Sequence, residues 1–457
     1  MQTPRAADPA PEASGWLSKL SPRSRRLLGT TAATYLARLC SALTLLITLP
    51  LARRQLDAEA FGLWMMLGSL VGFFAFADLG IGNGALNRIN RARAAGDRRA
   101  ELQLVSATAL CTMGLGLALL LGWSVYLAAA DDVLRFAGQI SAAHRHDAQL
   151  AFTVFIVLTA LNLPLGAIQK LQLGVQDGHW LGLMHATAAV LTAIALPLAL
   201  WARLSLPWLV LASLGMSALV NLVAGTVWLA KQGYLLAAWP RRDGWSTAPQ
   251  LLKDGLMFFG LQLCAAFAFQ SDAFVIGSQL GQAAYGEYAA VQRIFLAVST
   301  LVSAALVGLW PAFGDALTRG DLAWVRRVLS RALFTSLLVV GGLGCLLALA
   351  MPWLAAHWLH LPTPTASLPW LLAAWVTVDA LGGVCGSFLN GAGLIRPQLL
   401  AALSMAALAF AGKWWLVVPL GAEGAVAATL CAYLLISVPT LIWLLSRQLG
   451  GVGPSRT

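Results

Sequence analysis

Gln55-Leu56-Asp57-Ala58-Glu59-Ala60-Phe61-Gly62-Leu63-Trp64 recurs, 224 residues further along, as Gln279-Leu280-Gly281-Gln282-Ala283-Ala284-Tyr285-Gly286-Glu287-Tyr288. The match extends in both directions. Leu39-Cys40 falls on Leu263-Cys264, and Gly96-Asp97 on Gly320-Asp321, so one register holds without a gap from Leu39 to Asp97. Apolar residues coincide by chance in such a chain, but Gln, Gly and Asp at matching places do not. A repeat this long means a chain of two equivalent halves.

The composition says what each half is made of. Of 457 residues, 59% are hydrophobic and only 11% charged. A soluble domain carries about 25% charged residues. A soluble enzyme and a disordered chain are both excluded, which leaves a polytopic membrane protein. A spanning helix needs about 20 apolar residues, and twelve such runs are found: 28–50, 61–84, 102–130, 148–169, 180–202, 206–230, 255–280, 284–311, 333–354, 367–391, 398–419 and 423–445. The length of 102–130 and the Pro-rich 352–369 leave the count between eleven and fourteen. Polar segments between the runs are short, with no room for an extramembrane catalytic domain. The expected division is a tail at 1–27, a six-helix bundle at 28–230, a linker at 231–254, a second bundle at 255–446 and a tail at 447–457. The run beginning near Leu27 is too long for a cleaved signal and reads as the first span.

The net charge of +11 is read as membrane topology, not as a nucleic-acid surface. Outside the spans, basic residues avoid one set of loops, which holds only Arg53, Arg54, Arg135, Arg145 and Arg203. The other set, with the tails, holds the rest, including Arg91, Arg93, Arg98, Arg99, Arg241, Arg242, Arg326, Arg327 and Arg331. Both termini and the linker are therefore expected in the cytoplasm, as an even span count also requires. Six spans per half give the halves the same orientation, related by an axis along the membrane normal, with the substrate path between them. The six cysteines lie singly in apolar runs, and the histidines lack metal-ligand spacing. No cofactor or metal is expected, and the His144/His146 pair reads as loop polarity.

Phe61-Gly62-Leu63-Trp64, then Asp78-Leu79-Gly80-Ile81-Gly82-Asn83-Gly84, then Gly96-Asp97, resembles the first two spans of polysaccharide flippases. These are the Wzx-like exporters of O-antigen and related lipopolysaccharide units, in the multidrug/oligosaccharidyl-lipid/polysaccharide (MOP) superfamily. Tyr285-Gly286-Glu287-Tyr288, Pro311, Gly320-Asp321 and Leu389-Asn390-Gly391-Ala392-Gly393 extend the resemblance through the second half. It implies an all-α membrane fold of two six-helix bundles in a V, opening alternately to each side. It also implies an undecaprenyl-diphosphate-linked oligosaccharide moved from the cytoplasmic to the periplasmic leaflet of a bacterial inner membrane, alongside polysaccharide polymerase and glycosyltransferases. Neither enzyme chemistry nor nucleic acid belongs to that picture.

Ionisable groups inside spans are costly and therefore mark candidate sites. Arg38, Arg293 and Lys413 are candidate cavity cations, which would offset the desolvation of a lipid diphosphate. Their bland alternative is structural ion pairing or snorkelling. Asp78, Asp272, Asp379 and Glu287 are candidates for gating or for coupling to H+ or Na+. For Asp78, among Gly80, Gly82 and Gly84, a hinge or inter-helix hydrogen bond is the stronger reading. The rival function is a cation-coupled multidrug exporter of the same superfamily, for which membrane carboxylates would matter more than cations. A major-facilitator transporter is disfavoured by Arg91-Ala92-Arg93-Ala94-Ala95-Gly96-Asp97-Arg98-Arg99 after the second span. A membrane glycosyltransferase or polymerase is disfavoured by the shortness of loop 131–147.

Overall fold

The computed structural model describes residues 22–74, 77–130, 140–175, 177–237, 245–306 and 309–449, with the side chains of 22–37, of 73, 179, 395 and 396, and of several positions between 254 and 318 excepted. The tail before Pro22, most of loop 131–147, the linker charges Arg241, Arg242 and Asp243, and the last residues from Gly450 lie outside the described residues. Those described form helices and turns without a strand.

The first half comprises α1 (Pro22–Gln55), α2 (Ala58–Phe74), α3 (Ile81–Ala94), α4 (Arg98–Ala129), α5 (Ala142–Gly174), α6 (Gly178–Trp201) and α7 (Leu206–Lys231). The second comprises α8 (Ala248–Gln270), α9 (Asp272–Gln279), α10 (Gln282–Leu306), α11 (Leu309–Thr318), α12 (Leu322–Leu359), α13 (Ser367–Gly391), α14 (Ile395–Leu420) and α15 (Glu423–Leu449). Eight of these, α4 to α7 and α12 to α15, are long and apolar enough to cross a membrane. The expected runs 61–84, 255–280 and 284–311 are each divided between two helices. The run at 102–130 is one helix, and Pro352 lies inside α12, so the ambiguous stretch adds no span.

Helix boundaries obey the repeat. Gln55 ends α1 and Gln279 ends α9; Ala58 opens α2 and Gln282 opens α10; Ala94 ends α3 and Thr318 ends α11. The shared Gly-Asp motif explains the last pair. Gly96 (φ 70°) and Gly320 (φ 76°) take the left-handed conformation that lets the chain leave the preceding helix. The next residue then caps the following helix, Asp97 accepting from Ala100 N at 2.9 Å and Asp321 from Trp324 N at 3.0 Å, each cap contributing about 1 kcal/mol.

Packing repeats as well. The first span of each half lies on the fifth, α1 on α6 and α8 on α14, while α5 and α13 take the central place of their bundles. The halves meet chiefly along α2 and α10. Gly62 and Gly286, equivalent under the repeat, are the point of closest approach. A Cβ on Gly286 would lie 2.7 Å from Gly62 Cα, and one on Gly62 would overlap the Gln282 carbonyl. Hydrogen bonds continue this seam: Ser69 Oγ and Tyr285 Oη lie 2.5 Å apart, and Arg293 donates to the Met65 carbonyl at 3.0 Å. The glycine contact lies at the ends of the helices remote from the start of α1, termed here the far face.

One helix belongs to both halves. Leu251, near the start of α8, is buried in a cluster with Ile81, Ala85 and Ile89 of α3. A Cβ on Gly255 would meet the Leu79 carbonyl at 2.7 Å. The other end of α8 packs on α14 of its own half.

Candidate functional site

Between the halves lies a cavity of about 1280 Å³. It runs from the level of Thr48 and Thr429, near the far face, to Leu173 and Gly178 beside the α5–α6 turn on the near face. The first half contributes hydroxyl groups from Ser41, Thr44, Thr48, Thr192, Ser213 and Ser217, with Arg38, His185 and Trp64. The second contributes Phe269, Gln270, Tyr288, Gln292, Arg293, Trp375 and Asp379. Ser213 lies in a π-helical turn of α7, Leu211–Gly215, and such turns recur at functional sites.

Arg38 and Arg293, expected as cavity cations, both line the wall. Arg293 is also part of the seam: besides Met65, its guanidinium fills the space left open by Gly68, so a larger residue at 68 would displace it. Asp379 lines the wall too, accepting from Ser299 Oγ at 3.2 Å.

Lys413 and Asp272 form a buried pair. The ammonium is fully buried and sits 2.6 Å from Asp272 Oδ1, while donating to the Ala268 carbonyl at 2.6 Å and to Ser271 Oγ at 3.1 Å. The chain turns out of helix at Ser271, between α8 and α9, and Lys413 serves the carbonyl at that break, as irregular backbone at membrane depth requires. Asp272 Oδ2 accepts from Tyr288 Oη at 2.7 Å and Gln292 Nε2 at 3.0 Å. The bland reading of Lys413 is thus the one its geometry favours: its charge is matched within the protein. Counting this pair, the cavity wall still carries one more cation than anion, since Arg38 and Arg293 stand against Asp379.

Two expected site residues stand elsewhere. Asp78 accepts from Gly80 N at 2.9 Å and Gly82 N at 3.0 Å, capping the start of α3. The carboxylate is used where α2 and α3 part, and Asp78 is not among the residues that line the cavity. Glu287 is half-buried in the first turns of α10 and outside the cavity wall. Tyr288, Gln292 and His185 were not singled out by sequence. Tyr288 and Gln292 had a usable signal, polar residues one turn apart beside Arg293; His185 had none, being a lone histidine in an apolar run. Among the described residues no cluster of His, Cys, Asp and Glu could hold a metal ion.

Solved structures share this architecture. A multidrug resistance MATE family transporter of the MOP superfamily, in an inward-facing conformation, superposes with a TM-score of 0.74 at 14% identity, over 95% of this chain and 100% of that one. The lipid II flippase MurJ in an inward closed conformation gives 0.69 at 12% identity, over 91% and 87%. A MOP superfamily transporter from Pyrococcus furiosus, described by the reverse polarity of its binding pocket, gives 0.62 at 12% identity, over 94% and 97%. At these identities the likeness speaks to the fold alone. The sequence matches no curated protein. The family model for polysaccharide biosynthesis proteins matches residues 27–317, from the first span through the seam helices α2 and α10 to the end of α11. With the MOP fold around a cavity between repeated halves, that match makes the chain a member of the polysaccharide biosynthesis protein family.

Proposed function

We propose that the protein is a flippase that moves an undecaprenyl-diphosphate-linked oligosaccharide from the cytoplasmic to the periplasmic leaflet of a bacterial inner membrane by alternating access. It is a transporter and not an enzyme. The observation that carries this reading is the large cavity whose wall has two arginines beyond its internal ion pair. The diphosphate is anionic and must leave water, so guanidinium groups in the wall offset part of its desolvation and can chelate its oxygens. The hydroxyl-rich wall and the exposed ring of Phe269 suit a sugar, whose rings offer hydroxyls at the edge and C–H groups on the face. The family assignment points to the same class of cargo.

Arg38→Ala and Arg293→Ala should each abolish export of a lipid-linked sugar in cells, with near-normal expression, while the Lys variants keep part of the activity. Full activity in both Ala variants would remove the cations from the mechanism. Purified protein in liposomes should translocate polyprenyl-diphosphate sugars and ignore cationic dyes, because basic side chains repel cations in a low-dielectric cavity. Extrusion of a dye down a proton or sodium gradient, with no engagement of the glycolipid, would establish the multidrug-exporter reading instead.

The same reading fixes orientation, with the near face, the linker and both termini in the cytoplasm. Single cysteines introduced near 95, 243 and 325 should react only from the cytoplasmic side, and one near 140 only from the periplasm. Labelling of the linker from outside would reverse the direction of transport assigned here.

A further inference from the structure

Behind the cavity wall, a line of polar side chains crosses the first bundle from α6 through α5 and α7. His185 Nε2 lies 3.3 Å from Gln169 Oε1; Gln169 Nε2 donates to Asn221 Oδ1 at 2.9 Å; Asn221 Nδ2 donates to Asn162 Oδ1 at 3.4 Å; and Asn162 Nδ2 donates to the Leu158 carbonyl at 2.9 Å. The far end determines the whole line. A backbone carbonyl can only accept, so Asn162 must turn its amide nitrogen to Leu158 and its oxygen to Asn221. That choice turns the Asn221 oxygen to Gln169, and the Gln169 oxygen to His185. Nε2 of His185 must therefore carry a hydrogen. The second ring nitrogen, Nδ1, has no protein partner among the described residues, and His185 is exposed where it lines the cavity.

A histidine fixed in this way can gain a proton without disturbing its neighbours. Nε2–H donates to Gln169 in the neutral and the charged ring alike, so only Nδ1 changes. Unperturbed histidine titrates near neutral pH, and a neighbouring anion favours its charged form. Among the described residues of the helices packed against α6, the charged side chains at this depth are Arg38 of α1 and Lys170 of α5, and Asp177 stands at the start of α6, accepting from Trp228 Nε1 and Gln232 Nε2. Arg53 and Arg54 of α1, the His144–Asp147 stretch of α5 and Lys231 of α7 stand at helix ends. Across the cavity are Arg293, Asp379 and the Asp272–Lys413 pair. An arriving diphosphate brings an anion into the cavity that His185 lines, and that anion favours the charged ring.

We propose that His185 is an anion ligand that takes up one proton on Nδ1 when the diphosphate of the substrate binds, held ready by the line Gln169–Asn221–Asn162. The proton comes from the aqueous side to which the cavity is open, and Nδ1–H then donates to a phosphate oxygen. This rests on the flippase reading and adds to it a binding step linked to pH. A purely structural line joining α5, α6 and α7 would hold the helices together without such linkage.

The test uses full-length protein in nanodiscs with a polyprenyl-diphosphate-linked sugar as the probe, because its diphosphate is a diester and, unlike a terminal phosphate, does not itself ionise near neutral pH. In weakly buffered solution at pH 7, binding should be accompanied by uptake of about one proton, and His185→Gln, which still donates to Gln169, should lose it. Affinity should fall about tenfold from pH 6 to pH 8 in the wild type and stay nearly flat in the variant. Equal proton uptake and an equal pH profile in the two proteins would overturn the proposal while leaving the flippase reading intact. If the wild type fails to bind the diphosphate at any pH, the flippase reading falls and the proposal with it. Should H185Q not fold, the wild type decides alone: binding without proton uptake overturns the proposal, and nitrogen-15 spectra of the histidine must show the Nε2–H tautomer in the free state.

Discussion

Lys413→Met should destabilise the protein by about 3–5 kcal/mol, the usual penalty for stripping a buried charge of its partner. The variant leaves Asp272 with Tyr288 and Gln292 but no counter-charge, and leaves the Ala268 carbonyl at the helix break without its ammonium donor. Asp272→Asn should fail similarly, because it leaves a fully buried ammonium unmatched. The double variant Asp272→Asn/Lys413→Met removes both charges and should regain at least half of the lost stability. Thermal melting in detergent separates these outcomes. A single variant as stable as the wild type would mean that the pair is open to water and not the closed contact described above.

Gly62→Leu should abolish transport through geometry alone. A side chain at 62 collides with the Gln282 carbonyl, and one at 286 with the backbone of Gly62, so either leucine props the halves apart at the far face. Overpacking costs about 1–3 kcal/mol, and a bias of that size shifts an equilibrium between two states about 5–150-fold. The state with the far face closed would become a minor one. Spin labels on the two halves at that face should report a longer distance, and the transport cycle should stall. Gly122→Leu is the control, since nothing lies within 4 Å of its added Cβ. Unchanged distances and transport in Gly62→Leu would show that closure there is not part of the cycle.

Much of the architecture was legible because it is written locally. Gly96-Asp97 and Gly320-Asp321 encode a helix end and a helix start with no help from the rest of the chain, and the shared register carries those boundaries from one half to the other. The candidate site was legible only in part. Sequence located charges within spans but not their partners: Asp272 and Lys413 are 141 residues apart, and only the packing of α8 on α14 brings them together. Asp78 counts as an intramembrane acid in a hydropathy reading, yet the chain leaves helix at that point and spends the carboxylate on the start of α3. His185 was invisible because its meaning depends on three carboxamides from two other helices.

The double allegiance of α8 bears on how such a chain is made. The repeat divides the sequence at the linker, but the surface of α3 around Leu79 and Ile81 is covered by residues that follow the linker, Leu251 and Gly255. A ribosome that has finished the first six spans has therefore not finished the first bundle, which stays open on one flank until the seventh emerges. Two fragments cut within the linker would each be left with an uncovered groove or a homeless helix. Supplied together, they have what they need to complement one another.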